Sequence, residues 1–317
     1  MLNPIISVII PVYGVEQYIE QCLFSLFSNS ISKKCEFIIV NDCTKDSSME
    51  VAKNVMRKFP TLAQNVLIVE HKQNKGLAGA RNSGLKKAKG EYIITVDSDD
   101  WVEMNFLEEL YIKIKLDDSD ICSCDYFAES CNGVSKIVQK NFFTNPITNI
   151  NLLVRKNSTR CIWTNLVKRS LFDTGIVWQE GIDLGEDLLI NLKLLLSAKK
   201  VSYIPTPLYH YRLGNAQSIT HRGEKKIEKL VMLERACSTV LDEAGFDELA
   251  LVLRKDIKKS ILACSLKSNR SEYYSLWPET KKISDFYAHS LGVFFFFFFM
   301  RLRLFILCDL MIDIHSC

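Results

Sequence analysis

EYIITVDSDDW, residues 91–101, carries an apolar run straight into acid. Tyr92, Ile93, Ile94, Thr95 and Val96 have the β-branched and aromatic make-up of a strand covered on both faces. Asp97, Asp99 and Asp100 follow at once. Three carboxylates this close repel one another and are costly to desolvate. A buried strand that opens into a polar loop is the pattern of an α/β sheet, in which ligands bind beyond the carboxyl ends of the strands.

The same pattern repeats upstream. Further strands are expected at 5–12, 35–40 and 66–70, with helices at 16–28, 47–59 and 77–88 between them. Asp46 or Ser47 supplies the N-cap of the second helix. A helix at 104–115 and a strand at 120–127 come after the acidic loop. Repeated β-α-β units with near-continuous apolar strands predict a mostly parallel, Rossmann-like sheet flanked by helices, with right-handed crossovers. Beyond it, 128–160 is weakly patterned and 161–172 reads as a strand or turn entering a short helix. An amphipathic helix at 184–201 has Glu186 and Asp187 in its first turn, and 201–214 reads as a strand broken by two prolines. From about 222 onward the spacing is helical, and no internal repeat is present.

Bulk composition fits this organisation. The 317 residues suit one large α/β domain, or one domain with an appendage, and 48% hydrophobic content can form a sizeable core. Forty basic against 37 acidic residues, a net +3, is too balanced to argue for nucleic acid, although it leaves room for a local basic patch. The eleven cysteines contain no C-x-x-C pair; Cys122-x-Cys124 is the one close pair, so zinc spacing rules are not met. They read as small buried residues in a reducing cytoplasm. The start, MLNPIISVIIPVYG, lacks the basic n-region and cleavage site of a signal peptide. The tail LGVFFFFFFMRLRLFILC, residues 291–308, is very apolar but interrupted by Arg301 and Arg303. A peripheral membrane anchor, a helix packed on the core, and the product of a shifted reading frame at a homopolymer tract all stand open for it.

Four loops follow the four strand ends: Pro11-Val12-Tyr13-Gly14, Asn41-Asp42-Cys43-Thr44, His71 to Gly76, and Asp97-Ser98-Asp99-Asp100. All should open at one edge of the sheet and line one crevice. A carboxylate cluster at a strand end becomes favourable when a hard divalent cation sits there, since Mg²⁺ or Mn²⁺ takes oxygen ligands. The local alternative is that Asp99 or Asp100 caps the helix starting near Glu103, which needs no metal.

Taken in order, SVIIPVYGVEQYIEQCLFSL, EFIIVNDCTKDSS, NKGLAGARNSGLKKAKGEYIITVDSDDW and GEDLLINLKLLLSAKKVSYIPTPLYHYR resemble the family 2 glycosyltransferases of the GT-A fold. The resemblance runs from about residue 4 to 220 and implies a catalytic domain over 1–220. Its nucleotide-sugar-binding half would be 1–127 and its acceptor half 128–220, followed by a helical extension over 221–317 with the Phe-rich tail. It implies an inverting enzyme of polysaccharide or glycolipid synthesis that takes a nucleoside-diphosphate sugar, UDP-linked, and uses Mn²⁺ or Mg²⁺. Pro11, Val12, Tyr13 and Asp42 would hold base and ribose. Lys75, Gly76, Arg81 and Ser98 would lie along the nucleotide and diphosphate. Asp97 and Asp99 match the D-x-D motif that grips ribose and metal, with Asp100 sharing the work. Asp187 would be the general base beside Glu186, and Arg212 of the YR loop, with Ser218 and Thr220 beyond it, would close over the diphosphate. Trp163 and His210 would face the acceptor.

Each assignment has a plainer reading. Asp42 can be a turn residue, Arg81 a surface helix residue, Glu186-Asp187 helix N-terminal charge, and Trp163 or His210 structural. A nucleotidyltransferase also joins a parallel sheet to carboxylate-bound Mg²⁺, but PVYGVEQY after the first strand has one glycine and no basic residue to hold a triphosphate. An inactive or truncated glycosyltransferase is the other alternative. The expected partners are a nucleotide sugar and a glycan or lipid-linked acceptor, with no nucleic acid. The expected place is the cytoplasm, with contact through the tail at the inner face of the cytoplasmic membrane.

Overall fold

The opening apolar run forms β1 (Ile6–Val12), buried along its whole length. Alternate side chains point to opposite faces of a strand. Ile6, Val8, Ile10 and Val12 join one core cluster, whereas Ile9 joins another on the far face. In the computed structural model, which describes residues 4–130, 133–137, 143–182, 184–213 and 226–265, β1 lies inside a nine-stranded sheet.

From β1 the chain passes through α1 (Ile19–Phe27), β2 (Cys35–Asn41), α2 (Ser48–Lys58), β3 (Val66–Glu70), α3 (Gly76–Leu85) and β4 (Tyr92–Thr95). The two-residue β5 (Trp101–Val102), α4 (Phe106–Leu116), β6 (Ile121–Ser130) and β7 (Gly133–Ile137) follow. Then come α5 (Pro146–Val154), β8 (Asn165–Lys168), the single turn α6 (Arg169–Phe172), α7 (Glu186–Ser197), β9 (Val201–Arg212), α8 (Lys226–Glu243) and α9 (Asp247–Ser265). Strand order is β3-β2-β1-β4-β8-β6-β9-β5, with β7 on β6. Strands β1 to β4, β6 and β9 run one way, and β5, β7 and β8 run the other. The carboxyl ends Val12, Asn41, Glu70, Thr95 and Arg212 therefore share one edge.

One expectation changes. The strand at 201–214 is continuous: Pro205 and Thr206 bulge out between Cys124↔Ile204 and Asp125↔Pro207, so the proline nitrogens interrupt the ladder without ending it. The sheet is mostly parallel, as expected, with antiparallel pairing in the second half through β5, β7 and β8. Among the described side chains seven cysteines are free thiols, and five of them are buried.

Helices cover both faces. On one side α1, α2 and α4 pack against β1, β2, β4 and β6. On the other, α3 comes very close to the sheet: a Cβ on Gly84 would sit 2.4 Å from Ile9 Cγ2. Small residues Ala78, Gly79, Ala80 and Gly84 permit that approach and bury most of the helix. A separate cluster joins α5, α7, α8 and α9. Among the described residues no helix is long and apolar enough to cross a membrane. The Phe-rich tail, Ser218 and Thr220 lie outside the described residues.

Candidate active site

The loops at the shared edge are tied together by side chains. Asp42 N–H donates to Val12 O (3.0 Å), Gly14 N–H to Thr44 Oγ1 (2.9 Å), and Val15 N–H to Ser48 Oγ (3.0 Å). These bonds dock the segment after β1 onto the loop after β2. Asp42 is 3% exposed, and its Oδ1 accepts from His71 Nδ1 at 2.6 Å and from Lys75 N–H at 2.8 Å. The other ring nitrogen of His71 lies 2.8 Å from Ser83 Oγ. The Asp42 main-chain oxygen accepts from Asn74 Nδ2 (3.1 Å).

Arg81 is the electrostatic centre of the edge. It projects from α3 and is 1% exposed, so the surface reading of this residue is overturned. Its Nη2 donates to Asp97 Oδ1 at 2.9 Å, and Nη1 reaches Asp187 Oδ1 at 2.9 Å and Glu186 Oε1 at 3.3 Å. Its Nε is buried without an acceptor. The fork of the guanidinium thus spans the loop after β4 and the start of α7. Burial raises the Asp187 carboxyl above its ordinary range, against the opposing pull of Arg81. Burial, then the charge of Asp187, pushes Glu186 up to about 8. Asp187 Oδ2 also accepts from Ile162 N–H (3.1 Å), which fixes the carboxyl plane. Gly185, at φ +78°, turns the chain into α7, and a Cβ there would lie 2.4 Å from Leu233 of α8.

The three acids after β4 separate by environment. Asp97 keeps 22% of its side chain exposed, and Asp97, Ser98 and Asp99 all line a cavity of about 630 Å³. Asp100 does not line it. It is 1% exposed, its Oδ2 accepts from the Tyr209 hydroxyl (2.8 Å), and its Oδ1 accepts from Arg212 N–H (2.8 Å). Burial, then the neighbouring Asp99 and Asp97, raises its pKa well above the usual range. Asp100 therefore ties β9 to the acidic loop, with both oxygens already engaged.

The remaining expected residues divide in the same way. Pro11, Val12, Tyr13, Asp42, Gly76, Arg81, Glu186, Asp187 and Arg212 line the cavity. Trp163 lines it too, but is 6% exposed and stacked on Tyr209 at 4.1 Å and Tyr211 at 5.4 Å. Lys75 meets Asp42 through its backbone and is not part of the lining, and neither is His210. His210 stacks between Trp101 and Phe127 instead. The sequence reading missed Arg160 and Tyr126, which line the cavity, and Lys229 and Leu233 of α8, beyond the expected boundary at 220. No short motif marks these residues; they arrive through pairing and helix packing.

The comparisons agree with this architecture. The model of glycosyl transferase family 2 matches residues 7–175. EpsH of Bacillus subtilis is 31% identical, over 72% of this chain and 66% of its own length. Poly(ribitol-phosphate) beta-N-acetylglucosaminyltransferase TarS of Staphylococcus aureus is 29% identical, over 77% of this chain and 42% of that protein. The chain thus spans about two thirds or less of these curated relatives. The solved structure of S. aureus TarS 1–349 in complex with UDP-GlcNAc superposes with a TM-score of 0.67 and 20% identity, covering 98% of this chain and 91% of that one. A mannosyltransferase of Pyrobaculum calidifontis in complex with GDP-Man and Mn²⁺ shares the fold at a TM-score of 0.55 and 17% identity, over 86% of this chain and 78% of its own. The match to the family over more than half of the chain, on a GT-A sheet with the acidic loop at its edge, places this protein in glycosyl transferase family 2.

Proposed function

We propose that this chain is an inverting glycosyltransferase that moves a sugar from a UDP-sugar to an acceptor hydroxyl of a cell-surface polysaccharide or glycolipid, with Asp187 as general base. The observation that carries the reading is that one cavity is lined by Asp42, by Asp97 and Asp99, and by Asp187. The UDP-GlcNAc complex of TarS and its poly(ribitol-phosphate) substrate support the donor class and an acceptor of envelope type.

Asp42, held by His71 and Lys75, presents an oriented carboxylate to base or ribose beside Pro11–Tyr13. Among the described residues no group of three acids, histidines or cysteines is close enough to cage a metal. Asp97 and Asp99 nevertheless fit a divalent cation, because Mg²⁺-type ions commonly take one or two carboxylates and complete their shell with substrate phosphates. Bound there, Mn²⁺ or Mg²⁺ would neutralise charge growing on the departing diphosphate. Arg212, with Ser98, lies on the same wall to meet phosphate oxygens. Asp187 takes the proton from the acceptor hydroxyl as that oxygen attacks the anomeric carbon from the face opposite the diphosphate. The carboxyl pKa raised by burial makes it a stronger base than an exposed aspartate. The bond to Ile162 N–H keeps it aimed, and Glu186 shares the Arg81 cation.

The catalytic unit in this reading extends into α8, because Lys229 and Leu233 close the cavity. The test is a panel of nucleotide sugars with Mn²⁺ present, scored for transfer or for release of nucleoside diphosphate. A UDP-sugar should respond, and Asp187→Asn should lower turnover by roughly 10² to 10⁴ with donor binding retained. Normal turnover by Asp187→Asn refutes the assigned base, and release of pyrophosphate from a nucleoside triphosphate would favour a nucleotidyltransferase.

A further inference from the structure

We propose that His210 is a positioning residue for Arg212, acting through the indole of Trp101. The proposal rests on the reading of Arg212 as a contact for the donor diphosphate. The arrangement follows from strand register. His210 of β9 pairs directly with Trp101 of β5 on one side and with Phe127 of β6 on the other. Directly opposed residues place their side chains together. The imidazole accordingly stacks on Trp101 at 4.9 Å with an 11° tilt and on Phe127 at 4.8 Å with a 22° tilt.

Two residues along β9, Arg212 emerges on the same face of the strand. Its guanidinium lies 4.6 Å from the Trp101 ring centroid and 4.9 Å from that of Tyr18. Phe127, His210, Trp101, Arg212 and Tyr18 therefore form one run of ring and guanidinium contacts, in which Arg212 lines the cavity. Arg212 is further held by Nε to Asp99 O (2.9 Å) and by Nη2 to Gln21 Oε1 (2.8 Å). A flexible arginine loses less when its plane is set in advance by an aromatic face.

What sets the plane of Trp101 is the pinning of His210. Its Nδ1 lies 2.7 Å from Glu129 Oε1 of β6, and its Nε2 lies 2.9 Å from Glu103 Oε1 just after β5. The imidazole is therefore held at both ring nitrogens, one pin coming from β6 and one from the residue after β5. Glu103, Glu129 and Arg212 are charged side chains at this stack. Without those pins the stack loses its fixed register with Arg212.

Calorimetric titration of the full chain with UDP and Mn²⁺ tests this. His210→Ala should weaken UDP about tenfold. His210→Phe, which keeps a stacked ring and guards against a folding failure of the alanine variant, should recover part of the affinity. Arg212→Ala should weaken UDP, and adding His210→Ala to it should have little further effect. Both His210 variants binding UDP within about twofold of the parent, or fully additive effects in the double variant, would overturn the proposal. If Arg212→Ala leaves UDP affinity intact, the diphosphate reading fails first and takes this inference with it.

Discussion

Replacing Arg81 by methionine removes the cation shared by Asp97, Glu186 and Asp187, at 2.9, 3.3 and 2.9 Å. A pair of unit charges about 4 Å apart, at an effective dielectric of about 20, interacts by roughly 4 kcal/mol. That attraction opposes the upward push that burial gives Asp187. Without it that push is unopposed. The ionised fraction of the base falls at neutral pH, and the acidic limb of the kcat profile moves upward. Arg81→Lys keeps the charge but cannot fork between both loops, so its limb should fall between parent and methionine variant. The assay is nucleoside diphosphate release from the responding donor across pH, with circular dichroism to show that each variant folds. A folded Arg81→Met whose kcat profile superimposes on that of the parent refutes the claim that Arg81 controls the base.

Three further outcomes are expected. Chelation by EDTA should stop nucleoside diphosphate release and added Mn²⁺ should restore it; a rate that survives chelation removes the metal from the proposed site. Gly84→Ala, whose new Cβ would meet Ile9 Cγ2 at 2.4 Å, should destabilise by about 1 to 3 kcal/mol and lower the Tm by several degrees, and an unchanged Tm would show that α3 can back away from the sheet. Glu186, near 8 in the fold against an ordinary 4.5, holds more protons folded than unfolded. Its contribution to stability is therefore full below about 4.5 and lost as pH rises through about 8. Urea midpoints should show that decline, and Glu186→Gln should flatten it.

The first half of the fold was legible because β1, β2 and β4 are largely buried on both faces and read as unbroken apolar runs. The order of the loops at one edge then followed from parallel pairing. Legibility stops where a residue's role depends on a distant partner. Arg81 on a helix reads as exposed until Asp97, Glu186 and Asp187 arrive from 16, 105 and 106 residues away. Asp99 and Asp100 are chemically alike in sequence, and only Tyr209 and Arg212 of the last strand distinguish the buried tie from the cavity wall. The two prolines near 205 signal a break, yet the partner strand absorbs them by a shift in register.

The place of β9 in the sheet also bears on how the protein is made. This strand lies between β5 and β6 but is the last of the nine to leave the ribosome. About 80 residues separate the end of β6 from the end of β9. At about 5 to 20 residues per second, that is an interval of roughly 4 to 16 seconds. During it β6 presents an open edge, the kind of surface that recruits a strand from a neighbouring chain. Newly made protein is thus most prone to aggregate in the seconds before Arg212 emerges, and a chaperone acting in that window would protect the completion of the donor wall.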